Sequence, residues 1–201
     1  MTSLTACEPF FQYMRRYVDL DDETMQLIAA HTKEVIYPKK HTLLLEGNPC
    51  DKIYFIVSGT ARSYYSDFTG KTMTWTFHFN SEVSIPRNLF IDDHRAFLTG
   101  QLSTISIETL SQIKALSFTK DQVNFLVQNS SVYADWLHKI NESTFVHMYD
   151  RALNLLTLSA VDRYNKMLKD EPHLLQMFSN YYIASYLGIA PQSLSRIRGI
   201  V

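Results

Sequence analysis

The chain has 201 residues, 46% hydrophobic and 19% charged, with 19 Lys+Arg against 20 Asp+Glu. That is enough for one large domain or two small ones with a self-sufficient core, and it excludes wholesale disorder. Cys7 and Cys50 are the only two cysteines, too few for a disulfide framework or a cysteine-ligated iron–sulfur cluster. No apolar run approaches the ~18 residues of a membrane span, and the N-terminus lacks the basic start and apolar run of a secretory signal, so a cytoplasmic protein without membrane contact is expected.

The first thirty residues read as helix: Phe10, Phe11, Met14 and Val18 recur at helical spacing, and Asp21-Asp22-Glu23 supplies an N-cap and an acidic first turn for a second segment. From Glu34 to Thr119 short β-rich runs alternate with turn signals: EVIY, TLLL, KIYFIV, ARSYY, TMTWTFHF, STISIETL and IKALSF. That cadence predicts an all-β sandwich or barrel. In TMTWTFHF, Met73, Trp75, Phe77 and Phe79 alternate with Thr74, Thr76 and His78, which predicts one buried and one polar face. Asp67 to Lys71 reads as a hairpin loop, and Asp92-Asp93 as a solvated loop.

After Thr119 the helical period returns. Lys120 to Leu126 reads as a short helix, and Ser130-Ser131 caps a long one with Tyr133, Leu137, Ile140, Thr144 and Met148 on one stripe. That stripe serves either a helix packed on its own sheet or a helix–helix dimer seam. A further helical stretch runs from Asn154 to Leu168.

Residues 182–198, YIASYLGIAPQSLSRIR, carry the functional signal. Ile183, Ala184 and Leu187 form a short amphipathic helix that Gly188 ends. Pro191 opens a second helix, in which Leu194 and Ile197 face back while Gln192, Ser193, Ser195, Arg196 and Arg198 face out. Two helices about a glycine turn make a helix-turn-helix. Gln pairs with adenine, Arg with guanine, and hydroxyls and further Arg with phosphates. Residues 151–201 hold 6 basic and 3 acidic side chains against 13 and 17 in residues 1–150, which fits a polyanion-binding end on an acidic body.

At these residues the chain resembles the Crp/Fnr family of transcription regulators. YIASYLGIAPQSLSRIR resembles the family's winged helix-turn-helix, and LLTLSAVDRY the helix that opens that domain. LLLEGNPCDKIYFIVSGTARSYYSDFTGK and AFLTGQLSTISIETL resemble the two halves of its cyclic-nucleotide-binding-like jelly roll. The resemblance implies an α+β chain: N-terminal helices and a β-roll sensor over 1–128, a long dimerisation helix over 129–152 and a winged helix-turn-helix over 153–201. It implies that Gln192, Ser193 and Arg196 read bases and that Ser195 and Arg198 face the backbone. The implied partners are double-stranded DNA, a second copy of the chain, RNA polymerase and an unidentified small-molecule effector.

The sequence departs from the family where cyclic-nucleotide binders place an Arg-Ser pair: here Gln101-Leu102-Ser103-Thr104 stands, without the arginine and without the preceding Gly-Glu turn. A phosphate needs that cation, so cyclic AMP and cyclic GMP are not expected as ligands. Ser103, Thr104 and Arg87 are the residues left to line an effector pocket. Pro191 replaces a polar residue common in the family, and Gly199-Ile200-Val201 adds no basic tail, so modest nonspecific affinity with a shallow salt dependence is expected. The histidines show no His-x-His or His-Glu-x-x-His spacing, and no nucleophile elbow or phosphate-binding glycine loop is present. Neither a metal, a cofactor nor an enzyme is expected. The rival reading is a ligand- or partner-binding β-roll module with a vestigial DNA-binding domain.

Overall fold

The computed structural model describes residues 2–200. Met1 and Val201, the latter part of the terminal tripeptide, lie outside the described residues.

Two helices, α1 (Leu4–Met14) and α2 (Asp22–Ala30), precede the sheets; Asp21 caps α2 by accepting from the Thr24 N–H at 2.6 Å. The strands are β1 (Lys33–Tyr37), β2 (Thr42–Leu44), β3 (Lys52–Ser58), β4 (Thr60–Ser66), β5 (Thr72–Phe79), β6 (Phe90–Ile91), β7 (Ser106–Thr109) and β8 (Ile113–Thr119). Short helices α3 (Pro86–Leu89) and α4 (His94–Thr99) flank β6. The strands form two four-stranded antiparallel sheets, ordered β1-β8-β3-β6 and β2-β7-β4-β5. This is the β-roll that the strand cadence predicts.

Helix α5 (Lys120–Asn129) leads to α6 (Ser131–Thr157), which Ser130 caps through its hydroxyl at 3.0 Å from the Tyr133 nitrogen. The expected stretch Asn154–Leu168 is interrupted: α6 ends at Thr157, and Ser159 caps a new helix α7 (Ala160–Asp170). The Ser159 hydroxyl competes for backbone groups and restarts the helix there. Helices α8 (Leu174–Met177), α9 (Asn180–Tyr186) and α10 (Pro191–Ile200) complete the chain. Among the described residues no strand follows β8, so the hairpin of a wing is not among them.

The main core joins α1 to the first sheet. Phe10 lies between Phe55 of β3, Phe118 of β8 and Trp136 of α6, at ring separations of 5.0, 5.4 and 5.1 Å. A second core lies outside the second sheet, where Phe77 and Phe79 of β5 meet Tyr164, Met167, Phe178, Ile183 and Leu187 of the C-terminal helices.

Strand β5 therefore departs from the expected alternation. Thr74, Thr76 and His78 are buried no less than Phe77 and Phe79. A bulge explains part of this: Ser63 pairs with Thr76 but Tyr64 with Thr74, leaving Trp75 unpaired. An extra residue shifts the facing of everything beyond it. Thr74 and Thr72 now accept from Arg62 on the outer face at 3.2 and 3.4 Å, and Trp75 turns to the interior cavity.

The β3–β4 connection depends on Gly59, at φ +91°. A Cβ there would stand 2.1 Å from the Gln112 carbonyl oxygen. Both the left-handed backbone and the backbone clash oppose a side chain. Gly59→Ala is expected to lower unfolding stability by about 2–4 kcal/mol, read as a lower urea midpoint at unchanged slope.

Candidate nucleic-acid interface and effector cavity

The turn between α9 and α10 is a Schellman motif. Gly188, at φ +67°, follows Leu187; the Ile189 N–H donates to the Ala184 carbonyl at 3.0 Å and the Gly188 N–H to Ser185 at 3.2 Å. Those two bonds satisfy the open carbonyls of α9 and turn the chain sharply. Helix α10 then packs Leu194 and Ile197 inward at 1% and 6% exposure. Gln192, Ser195, Arg196 and Arg198 are exposed and Ser193 is half-buried. The Arg196 guanidinium donates to the Ser193 hydroxyl at 3.3 Å, Arg198 to Asn180 Oδ1 at 2.8 Å, and Ser195 to the Pro191 carbonyl at 3.3 Å. The five residues singled out in the sequence thus share one helix, with four of them open to solvent.

The C-terminal basic excess does not sit on that face. Arg151 is buried in α6, donating to the Thr74 and Tyr186 carbonyls at 3.0 and 2.9 Å with its guanidinium 3.8 Å from the Tyr186 ring. Arg163 donates to the Leu187 and Leu158 carbonyls at 2.9 and 2.7 Å, and Lys166 pairs with Asp170 at 2.8 Å. Arg151 and Arg163 tie the C-terminal helices to one another and to β5. The charge count over residues 151–201 included them, because net charge carries no direction.

Arg87 belongs to the same joint. Its guanidinium meets Glu171 Oε1 at 2.5 Å and the Tyr186 hydroxyl at 3.3 Å, while that hydroxyl donates to Glu171 Oε2 at 2.7 Å. Ser185 of α9 accepts from the Thr74 N–H at 2.8 Å and donates to the Thr72 carbonyl at 2.9 Å. Sequence reading gave no signal for Ser185, Tyr186 or Glu171, because their partners on β5 and α3 lie far away in the chain.

Inside the β-roll, between its sheets and α6, lies a cavity of about 700 Å³. Both tryptophans, Trp75 and Trp136, line it, so aromatic packing does not fill the roll; Phe77 lies outside. The tentative effector residues are only partly brought together. Thr104 and Arg87 line the cavity, and Ser103 does not. Ser103 donates to Asp93 Oδ2 at 2.9 Å and the Thr104 N–H reaches the same oxygen at 3.2 Å. Asp93 is buried and caps α4 through Ala96, so the Asp92-Asp93 pair is not the solvated loop its composition implied; Asp92 in turn accepts from His94.

His78 faces the cavity, its Nε2 2.6 Å from the Ser63 hydroxyl. Burial pushes its pKa down to about 3. Cys50 and Cys7 are buried, and burial pushes their thiols up to about 12 and 11, so neither stands as a thiolate at neutral pH. Among the described residues no three His, Cys, Asp or Glu side chains gather as metal ligands, and no helix is long and apolar enough to cross a membrane.

A β-roll, a long connecting helix and a terminal helix-turn-helix make up the fold. Residues 34–130 match the family model of the cyclic nucleotide-binding domain. No curated protein sequence matches the chain. Solved structures do. FixK2 from Bradyrhizobium japonicum is 19% identical with a TM-score of 0.69, covering 84% of this chain and 83% of that one. The c-di-GMP responsive global regulator CLP of Xanthomonas campestris is 15% identical with a TM-score of 0.66, covering 90% and 91%. The Thermus thermophilus catabolite activator protein is 16% identical with a TM-score of 0.55, covering 90% and 83%. The chain is thus of Crp/Fnr type in its fold, with a cyclic nucleotide-binding-domain β-roll, as the sequence motifs implied.

The neutral His78 sets a pH dependence. The unfolded chain takes up this proton near the ordinary value of 6.5, the folded protein only near 3. Between those values the unfolded state binds more protons, so this group's contribution to stability falls as pH falls, by up to about 1.4 kcal/mol per unit. His78→Gln, whose amide nitrogen can replace Nε2, is expected to flatten stability between pH 6.5 and 4 relative to the parent, measured by urea unfolding.

Proposed function

We propose that this protein is a transcription regulator that reads a two-fold symmetric DNA site as a homodimer, with α10 in the major groove. The observation that carries the reading is the outward face of α10: an amide, hydroxyls and two guanidiniums on a helix whose apolar side is fully packed. In a helix-turn-helix that helix supplies the base contacts. Gln192, Ser193 and Arg196 are the base readers; Ser195 and Arg198 serve the phosphates.

The dimer seam is the outer side of α6. Phe145, Tyr149, Leu153 and Leu156 stand at steps of 4, 4 and 3, with exposures of 71, 57, 40 and 82%. The expected seam residues Tyr133 and Ile140 face the β-roll instead and are buried; Leu137, Thr144 and Met148 line the cavity with them. Phe145 also reaches the cavity, so one helix serves both the sensor and a second copy, and a change in the cavity bears on the helix that sets the spacing of the two reading heads.

Cyclic AMP and cyclic GMP do not suit the sensor. At the position of the phosphate-binding pair, Leu102 is exposed and Ser103 and Thr104 are committed to the Asp93 carboxylate. A phosphate there would meet the Asp93 carboxylate as a like charge, and the nearby Arg95 guanidinium is already held by Gln101 and the Leu102 carbonyl.

In-vitro selection from random duplex DNA tests the reading directly. A palindromic consensus with half-sites about one helical turn apart (roughly 34–36 Å) is the expected result, and Arg196→Ala should weaken binding to it by ~1–3 kcal/mol. With two guanidiniums on the exposed face, the salt slope should be shallow for a reader of this kind. Leu156→Glu should shift the protein towards monomer in sedimentation and reduce binding to the full palindrome far more than to a half-site. Absence of any enriched sequence, with and without ligand, would favour the β-roll module whose DNA-binding helices are vestigial.

A further inference from the structure

The wall of the β-roll cavity holds buried polar groups that no part of the protein satisfies. Trp136 Nε1 and Thr76 Oγ1 have no hydrogen-bond partner, on side chains of residues only 1% and 2% exposed. Arg87 Nε, on a side chain 9% exposed, is also unpaired. All three residues line the cavity. A buried polar group without a partner is strongly unfavourable, so native structures rarely leave one. With His78 Nδ1, unpaired on a fourth residue of the wall, four such groups around one cavity point to something that occupies it.

The chemistry of the wall narrows the occupant. An indole N–H and a guanidinium N–H can only donate, and a threonine hydroxyl can donate. The occupant must therefore present acceptors. Its charge is constrained by the ionisable residues on the wall, each of which is already committed. Arg87 meets Glu171 and Arg95 meets Gln101 and the Leu102 carbonyl. Lys120 donates to the Leu98 carbonyl. Asp92 accepts from His94, and Asp93 from Ser103, Thr104 and Ala96. His78 is held neutral by burial. Beyond the Arg87–Glu171 pair the wall sets two cations, Arg95 and Lys120, against two carboxylates, Asp92 and Asp93, so it favours neither an anion nor a cation. The rest of the wall is aromatic and aliphatic, from Phe97 and Trp75 on the roll to Ile140 and Met148 on α6. The volume of about 700 Å³ lies within the range of small-molecule sites.

We infer that the β-roll cavity binds an uncharged, largely apolar small molecule carrying a carbonyl-type acceptor, which takes the unpaired indole N–H of Trp136 and the hydroxyl of Thr76. The inference rests on reading the β-roll as the effector domain, but it is tested without DNA.

Four probes separate the chemistries: 2-acetonaphthone, naphthalene, 2-naphthoate and cyclic AMP. Naphthalene has the apolar body without the acceptor, naphthoate adds a charge, and cyclic AMP tests the family's ligand. The chain's two tryptophans both line the cavity, so their two indole N–H signals in nitrogen-15 correlation spectra report on it directly, with Trp75→Phe assigning them. The ketone is expected to bind roughly five- to tenfold more tightly than naphthalene, the gain of one or two hydrogen bonds, and more tightly than naphthoate. It should move the Trp136 indole N–H downfield, whereas naphthalene should not. Trp136→Phe should sharply reduce the preference for ketone over hydrocarbon while leaving naphthalene bound. Thr76→Val, nearly isosteric, should reduce that preference and guards against misfolding of the tryptophan variant.

Equal binding of ketone and naphthalene, stronger binding of naphthoate, binding of cyclic AMP in the cavity, or failure of all four to bind would each overturn the inference. These outcomes are independent of the regulator reading. Ketone binding by a protein that selects no DNA would sink that reading alone. A palindromic consensus from a protein that ignores the ketone would sink the ligand class alone.

Discussion

Phe77 of β5 stacks on Phe178 at 3.9 Å and 12°, while His78 beside it points into the β-roll and meets Ser63. A strand alternates its side chains between two faces, and here each face is claimed by a different hydrophobic core. β5 is the wall of the β-roll and the floor beneath the helix-turn-helix. An edge strand would otherwise offer water an unpaired row of backbone groups; in this chain the hydroxyl of Ser185 and the guanidinium of Arg151 cover two of them, at the N–H and the carbonyl of Thr74.

This arrangement explains why four charged or polar side chains gather at the joint, Arg151 and Tyr186 buried and Arg87 and Glu171 half-buried. Arg87, Arg151, Glu171 and Tyr186 come from α3, α6, the end of α7 and α9. A buried ion pair gains little over an apolar contact but is sensitive to geometry, since losing either partner leaves an uncompensated charge. The joint is therefore directional where a purely apolar one would be tolerant. Arg87 stands at both ends of the connection: its Nε is unpaired where it lines the cavity, and its terminal nitrogen holds Glu171 and Tyr186 under the helix-turn-helix. The cavity and the reading head share a side chain as well as a strand.

Helix α6 divides its surface similarly. A helix of 27 residues is roughly 40 Å long, enough to run from the sensor to the head. Its first half is buried against α1 and the roll through Tyr133, Trp136 and Ile140, and its second half exposes Phe145, Tyr149, Leu153 and Leu156. The change of environment along one helix is what an isolated stripe analysis misses: apolar periodicity locates a buried face without saying which neighbour buries it.

Local rules were sufficient for much of this protein. Strand cadence, the Asp21 and Ser130 caps and the Gly188 turn each depend on residues a few positions apart, and all are present in the fold. The outward set Gln192, Ser195, Arg196 and Arg198 also followed from a spacing, because Leu194 and Ile197 leave a short helix only one way to pack. What the sequence could not decide was anything settled between distant segments. The bulge at Trp75 needs the register of β4 against β5, which turned a predicted polar face into a cavity wall. Arg151 and Arg163 only add to a basic C-terminal charge count until the carbonyls they serve are in place. The Asp93 cap looks like a solvated loop until Ser103 and Thr104 fold over it. Charge and polarity are properties of a residue, but burial and partnership belong to the tertiary structure, and they alone decided which polar groups recognise something outside the protein.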